Sequence, residues 1–497
     1  VITAIDRLRW PAHVIFPAVV LSFLLVLAGT GLAPLAPLVA VAGLLVLWAA
    51  PMQRSALALL AVALVADNPG ERPFEGKWTS PLGPLGDLLY LNLNRITGIE
   101  PLRVSLLEVV IGLLMLVVLL RKAQRDPIDD PLHLGALPNP VKYSFGVFFA
   151  AIVLLESYGL VTGGDFKNSL WQLRQLFWLP VLGVVFGNAL KSASARVWLL
   201  RAVVGVAVVR SLVGLHYWLT IARPSGVVFE YTTTHSDSIL TVTAILVTAM
   251  LAVAKPSRGH LLLNLLAQPL LVMALIANDR RIAFVSLAGG ALPLLLLSPP
   301  DLQRVLRRLA IAAAPLAVVY LVVGWSASHP IFGPVQTVRS VVEQDDDSSK
   351  TRDIENYNLI STLKASPVIG SGFGHEYREV VQALRVDHIF AQYKYIAHNS
   401  VLWLLSIGGW IGFAAVWLIF PVTVLVALRA FAECADPIER TIAYGAIVSV
   451  LAFIVQAWGD MGLQSWMGAL LVSAFMGATG AIWTTRERAT HTTDQCP

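Results

Sequence analysis

The chain has 497 residues, 56% of them hydrophobic and only 13% charged, where a soluble domain carries about 25% charged residues. So little charge excludes a soluble multidomain enzyme, and repeated apolar runs of roughly 20 residues, each enough to cross ~30 Å of hydrocarbon, point to a membrane protein. The net charge of +5 comes with no nucleic-acid motif, because the basic residues sit in short clusters between apolar runs, as cytoplasmic loops do.

In lipid the backbone must satisfy its own hydrogen bonds, so spans are helices or a closed barrel. Runs such as Phe145–Leu155 and Ile239–Ala254 lack the period-two alternation of a barrel. The expected fold is therefore all-α and polytopic, with about 12–14 transmembrane helices. The apolar runs fall near 13–31, 35–50, 55–67, 102–121, 142–161, 171–189, 197–218, 238–254, 260–278, 282–298, 307–325, 400–428, 441–458 and 465–484. Phe16–Thr30 reads as a first anchor, since no small-residue cleavage site follows it. Pro34, Pro37 and Pro51 leave the first three runs open between clean crossings and a hairpin.

Alternate turns are short and basic: Arg54; Arg121, Lys122 and Arg125; Lys191 with Arg196; Lys255 with Arg258; Arg304, Arg307 and Arg308; Arg429 with Arg440; Arg486 with Arg488. The positive-inside rule assigns these turns and both termini to the cytoplasm. Cys434 and Cys496 fall on that side, so neither a disulfide nor a thiol metal site is expected. Three segments face the opposite side. One is the Pro- and Gly-rich stretch 68–101, with Leu88–Asn94 on the interface. The second is 219–237, holding Arg223-Pro-Ser-Gly226 and Thr232-Thr-Thr-His-Ser-Asp237. The third, 326–397, is the one long hydrophilic excursion, and loops of such length are uncommon unless functional or disordered. Helix-compatible stretches at Asp353–Lys364 and Tyr377–Leu384 favour an ordered cap. The expected organisation is a bundle over 1–325, an extracytoplasmic capping loop over 326–397, C-terminal spans over 398–485 and a cytoplasmic tail over 486–497.

Residues able to do chemistry cluster on the outer side. Arg223 precedes a span, and Asn278-Asp-Arg-Arg-Ile282 heads another with Arg280 and Arg281. The long loop carries Thr351-Arg352-Asp353-Ile-Glu355, then Pro367 and Ile369-Gly370-Ser371-Gly372-Phe373-Gly374. His398-Asn399-Ser400 follows, then Gly408-Gly409-Trp410-Ile411-Gly412. Guanidinium groups bind phosphate oxygens bidentately and stabilise a departing phosphate in a water-poor site. An imidazole is the side chain best suited to take a hydroxyl proton near neutral pH. His398-Asn399-Ser400 also reads as a helix start, with Asn399 or Ser400 as cap. The glycine turn is either an anion-binding nest or an ordinary tight loop. Arg174, at the outer end of a span, is a candidate carrier-phosphate ligand, with a structural role favoured. Arg210 lies mid-span, where an unpaired cation costs at least ~2.5 kcal/mol, so it should face the bundle and pair with Glu156 or Glu108. Asp345-Asp346-Asp347 could hold Ca²⁺ or Mg²⁺, but a solvated acidic turn is favoured, and no metal or other cofactor is expected.

In this order, over roughly Arg223 to Phe420, the motifs resemble the bacterial O-antigen ligase and O-antigen polymerase superfamily. Its members share an arginine-bearing helix, a Pro…Gly-x-Gly-x-Gly turn and a His-Asn-Ser…Leu…Gly-x-x-Gly stretch closing a large periplasmic loop. The resemblance implies a GT-C-like bundle in the bacterial inner membrane. It implies glycan transfer from an undecaprenyl (polyprenyl) pyrophosphate carrier to an acceptor hydroxyl, without nucleotide sugar or metal. Arg223, Arg280 or Arg281, and His398 match the family's essential residues, although Asp279 and a second arginine replace its usual Ser-Arg pattern. Arg174, Arg352, Gly370, Gly372 and Asn399 are the candidates for substrate binding. The expected partners are the lipid-linked donor, a glycan, lipid or protein acceptor, and membrane lipid. A transporter or flippase is the rival reading, favoured by Arg210 and His216, whereas the outer concentration of polar residues and the lack of a repeat count against it.

Overall fold

The computed structural model describes residues 19–20, 22–23, 35–69, 80–100, 102–124, 137–225, 232–254, 257–298, 300–327, 329, 332–336, 339, 347–382 and 392–493. Within them the apolar runs are helices, as lipid demands: α1 (Leu35–Ala49), α2 (Met52–Val65), α3 (Gly83–Tyr90), α4 (Leu93–Thr97), α5 (Leu106–Gln124), α6 (Asn139–Val161), α7 (Phe166–Ala189) and α8 (Ala193–Tyr217), which a π-helical turn, Trp218–Ala222, extends. There follow α9 (His235–Ala254), α10 (Arg258–Asn278), α11 (Arg281–Leu297), α12 (Pro300–Ser326), α13 (Asp347–Ala365), α14 (Ser400–Trp417), α15 (Ile419–Glu433), α16 (Pro437–Gly459) and α17 (Trp466–Thr493). The only β pairing among the described residues is an isolated bridge between Asn92 and Ser105. The protein is an all-α polytopic membrane protein.

Eight of the described helices or continuous helix pairs are long and apolar enough to cross a bilayer. The runs expected at 35–50 and 55–67 are one pair, α1 and α2, bent by 119°, because Pro51 sits extended at the N-cap of α2 and cannot continue a helix. α11 is apolar but shorter than the others. Most of the expected span 13–31 lies outside the described residues. α9, α16 and α17 form the buried centre, while α10 and α12 turn most of their surface outward. α7 and α17 pack closely because their contact is made of glycine: a Cβ on Gly477 would lie 2.5 Å from the Gly187 nitrogen, the small-residue device of membrane helices. Ser473 Oγ adds a hydrogen bond to the Leu179 carbonyl across it, 2.8 Å.

Two capping boxes double as arginine sockets. At the start of α9 the Asp237 carboxylate accepts from Thr234 N, 3.2 Å, and from Thr234 Oγ1, 3.1 Å, satisfying donors that a helix start leaves open. The same carboxylate pairs with both Nε and Nη2 of Arg210, whose Nη1 reaches Asp67 Oδ1 at 2.8 Å and the Val65 carbonyl at 3.1 Å. Arg210 thus faces the bundle as expected, but its partners are Asp67 and Asp237 rather than Glu156 or Glu108. Glu108 is held in the second box: it accepts from Ser105 N at 2.7 Å and binds Arg174 Nε at 2.8 Å. Glu156 accepts instead from Ser169 Oγ, 2.7 Å.

At the opposite end of the bundle the expected cytoplasmic arginines close helix C-termini, where carbonyls lack partners and the dipole favours cations. Arg121 donates to the carbonyls of Trp48 and Ala50, Arg196 to those of Leu190 and Lys191, Arg440 to Cys434 and Arg486 to Glu433. Arg196 also pairs with Glu439.

The Arg210 socket ties α8 to the start of α9 and to the end of α2. Arg210→Met should cost about 3–5 kcal/mol, because it strands two buried carboxylates. Arg54→Met, at an exposed site, should stay within about 0.5 kcal/mol. Thermal unfolding of the two purified variants in detergent measures the difference.

Candidate functional site

The polar stretch before α9 is stitched to the end of α10. Asn278 accepts from Thr233 N at 2.8 Å and donates to the Thr234 carbonyl at 3.2 Å and Ser238 Oγ at 3.3 Å, while Thr232 Oγ1 donates to the Ala277 carbonyl. Asp279 then takes a left-handed conformation, φ 48°, which ends α10 and lets Arg280 become the N-cap of α11. That sharp turn is the local reason Arg280 is buried while Arg281, one residue on, is half-buried.

α14 starts at the same level. Asn399 is its N-cap, accepting from Leu402 N at 3.0 Å, so the capping half of the His-Asn-Ser reading holds. Ser400 Oγ donates to the carbonyl of Asp460, 2.9 Å, which fixes the start of α14 to the C-cap of α16. A Cβ on Gly459 would meet Ile282 at 2.6 Å, so α16 ends against the first turn of α11.

α13 covers this layer. Its buried Asn358 accepts from Val380 N and Val381 N, both at 2.9 Å, and donates to the Val381 carbonyl at 2.7 Å. Thr362 Oγ1 accepts from Arg378 N at 2.7 Å. Gln172 on α7 binds the chain beyond α13, accepting from Gly374 N at 2.6 Å and donating to the carbonyls of His375 and Tyr395. One turn before Asn358 on the same helix face lies Glu355, and one turn before that Arg352. Asp345 and Asp346 lie outside the described residues, and among those described no three His, Cys, Asp or Glu side chains gather as metal ligands.

Two imidazole–carboxylate pairs result. His398 Nδ1 lies 3.2 Å from Glu355 Oε2, and its backbone N–H donates to the same oxygen at 3.0 Å. His235, the first residue of α9, has Nδ1 3.2 Å from Asp460 Oδ2. The pairs share one electrostatic neighbourhood: Arg280, Arg352 and His398 all act on His235, and Asp460 and Arg352 act on His398. Burial alone would lower the pKa of His398, but the hydrogen bond and charge of Glu355, with help from Asp460, raise it above the ordinary histidine value. A carboxylate that orients an imidazole and stabilises the imidazolium it becomes on taking a proton is the arrangement of a general base.

The structure therefore brings Arg280, Arg352 and His398 together and caps α14 with Asn399. Arg223 stands apart, exposed at the end of the π-helical turn with its guanidinium 5.6 Å from the Trp218 ring centre. Arg174 is held by Glu108 and the Arg103 carbonyl, the structural setting favoured for it. Gly370, Gly372 and Gly374 all have positive φ, and their turn is wedged between α6 and a break in α14. A Cβ on Gly370 would lie 2.2 Å from the Ile407 oxygen, and one on Gly372 would lie 2.5 Å from the Gly159 backbone. The amides of Gly370, Gly372, Phe373 and Gly374 donate to Ser366, Ile407, Leu155 and Gln172, so these donors serve packing rather than an anion. Sequence reasoning missed Glu355, His235 and Asp460 as site residues. Glu355 lies three residues after Arg352, and His235 stands in a polar cluster at a span start, so both left a trace. Asp460, a lone acid between two spans, left none.

These features define a polytopic helical membrane protein with an arginine- and histidine-lined site at one end of its bundle. Residues 266–417 match the O-antigen ligase family, which supports the resemblance to the O-antigen ligase and polymerase superfamily and supports glycan transfer of that general type. The matched segment holds Arg280, Arg281, Arg352, Glu355 and His398; Arg223, His235 and Asp460 lie outside it. No curated protein matches the chain.

The raised pKa of His398 has a signed consequence. Its pairing with Glu355 stabilises the fold fully below the unfolded value, near 6.5, and that contribution is lost as pH rises through the higher folded value. Glu355→Gln should move the His398 titration to lower pH, read by NMR of histidine-labelled protein. The melting difference between wild type and this variant should shrink from pH 5.5 to pH 8; a constant difference would contradict the pairing.

Proposed function

We propose that the protein transfers a glycan from a polyprenyl-pyrophosphate carrier to an acceptor hydroxyl at the extracytoplasmic face of the bacterial inner membrane. The observation that carries this reading is the meeting of His398–Glu355 with Arg280 and Arg352 inside the segment matching the O-antigen ligases. The basic helix ends at the other end of the bundle support an outward site under the positive-inside rule.

In this mechanism the pyrophosphate lies against Arg280, with Arg352 and Arg281 as further cations and Arg223 a candidate at the end of α8. His398 Nε2 takes the acceptor hydroxyl proton while Glu355 holds Nδ1. The acceptor oxygen bonds to C1 of the donor sugar as the C1–O bond to phosphate breaks, and the electron pair leaves on the pyrophosphate, whose charge the guanidinium groups stabilise. Attack opposite the leaving group inverts the anomeric centre. No metal is invoked. The two residues that favoured transport have other settings: Arg210 is paired with Asp67 and Asp237, and His216 is exposed on α8.

The test is to incubate purified protein with an undecaprenyl-pyrophosphate oligosaccharide and candidate acceptors and to identify the product by mass. His398→Ala should lower turnover roughly 10²–10⁴-fold and Arg280→Ala roughly 10²–10³-fold. Solute flux that changes while lipid-linked glycan is never consumed would replace this reading with transport.

A further inference from the structure

The chain leaves α13 through a stretch without charge. From Ala365 to Gly374, between Lys364 and His375, no residue is acidic or basic, and the turn in this stretch lies across the break in α14. Gly409 there has φ 57° and ψ −170°, which interrupts the helical ladder. The amides of Trp410 and Ile411 donate to the carbonyls of Pro367, at 2.9 Å, and Val368, at 3.1 Å, while the Ile407 carbonyl accepts from Gly372 N at 2.8 Å. Ser366 Oγ closes the turn on the Gly370 carbonyl, 2.8 Å. Irregular backbone is tolerated at membrane depth where its polar groups find protein partners in this way. The side chains point elsewhere: Val368 is 55% exposed, Ile369 47%, Trp410 59% and Ile411 63%.

We propose that these four side chains form a wedge seated among lipid acyl chains, so that the segment following α13 is anchored in the membrane leaflet nearest the site. Depth and continuity carry the inference. Phe373 N donates to the Leu155 carbonyl at 3.1 Å. Leu155 stands six residues before α6 ends at Val161, or about 9 Å along the helix, and interfacial apolar groups sit at roughly that depth. Trp410 and Ile411 belong to the span that α14 and α15 make together, and Leu154 and Tyr158, neighbours of Leu155 along α6, are exposed as well. The patch therefore continues the lipid-facing surface of established spans. Lys364, four residues before Val368, is exposed and can lay its stem along the apolar surface with its ammonium among headgroups, while Trp410 suits the interface itself. Because the turn follows directly on α13, the wedge ties the helix bearing Arg352 and Glu355 to the bilayer surface.

The test uses the wild-type full chain in nanodiscs that contain a phosphatidylglycerol carrying a diazirine on one acyl chain, photolysed and then digested with trypsin. Cleavage after Lys364 and Arg378 releases the peptide Ala365–Arg378, and cleavage after Arg308 and Arg339 releases Leu309–Arg339 from the outward-facing α12 as a control. Lipid adducts are expected on both peptides at comparable yield, those on the first at Pro367, Val368 and Ile369, with further adducts at Trp410 and Ile411. The double substitution Val368→Asp, Ile369→Asp should cut the yield on the first peptide about tenfold or more, because a carboxylate partitions poorly into hydrocarbon, and should leave the control peptide unchanged. An unlabelled Ala365–Arg378 beside a labelled control overturns the proposal. So does labelling only by a lipid whose diazirine is on the headgroup, which would leave the turn outside the acyl chains. Crosslinks from this peptide to a second copy of the chain in place of lipid would assign the patch to an interface between copies and overturn it too.

Discussion

A charge inside a bilayer must be paired or must reach the surface, and this constraint organises most of the structure. Arg210 and Arg174 sit in sockets made by helix-capping carboxylates, so a single acid both starts a helix and neutralises a cation. Because such sockets are costly to break, they fix helix ends relative to each other, and the site is built from helix ends. The start of α9 brings His235, the start of α11 brings Arg280, the start of α14 follows His398, and the end of α16 brings Asp460.

The same economy divides the molecule into two unlike ends. At one, arginines spend their donors on helix C-terminal carbonyls and on Glu439, which leaves them structural. At the other, guanidinium and imidazole groups meet two carboxylates at the starts of several helices, where dipoles also favour an anion. In the proposed transfer, Arg280 and Arg352 are the groups that would meet a departing phosphate, while Glu355 serves His398.

Much of this was legible in the sequence. Continuous apolar runs forced helices, and Pro51 marked the α1–α2 bend. The order of Arg280, Arg352, the glycine turn and His398 carried the resemblance to the O-antigen ligases. Other features were hidden for physical reasons. Arg210 has carboxylates of both signs of sequence distance within reach, and only three-dimensional packing chose Asp67 and Asp237 over Glu156 and Glu108. The glycine turn resembles an anion nest in one dimension, but its amides are claimed by α6, α7 and α14 once those helices close on it. Asp460 is silent as a sequence feature because its neighbours, His235, His398 and Ser400, lie 60 to 225 positions away.

The most direct measurement is a structure of the full chain with a polyprenyl-pyrophosphate oligosaccharide bound. Phosphate density is expected against Arg280, with the first sugar carbon turned toward His398. Phosphate seated at the arginine-capped opposite end, or away from Arg280 and His398, would contradict the site described here.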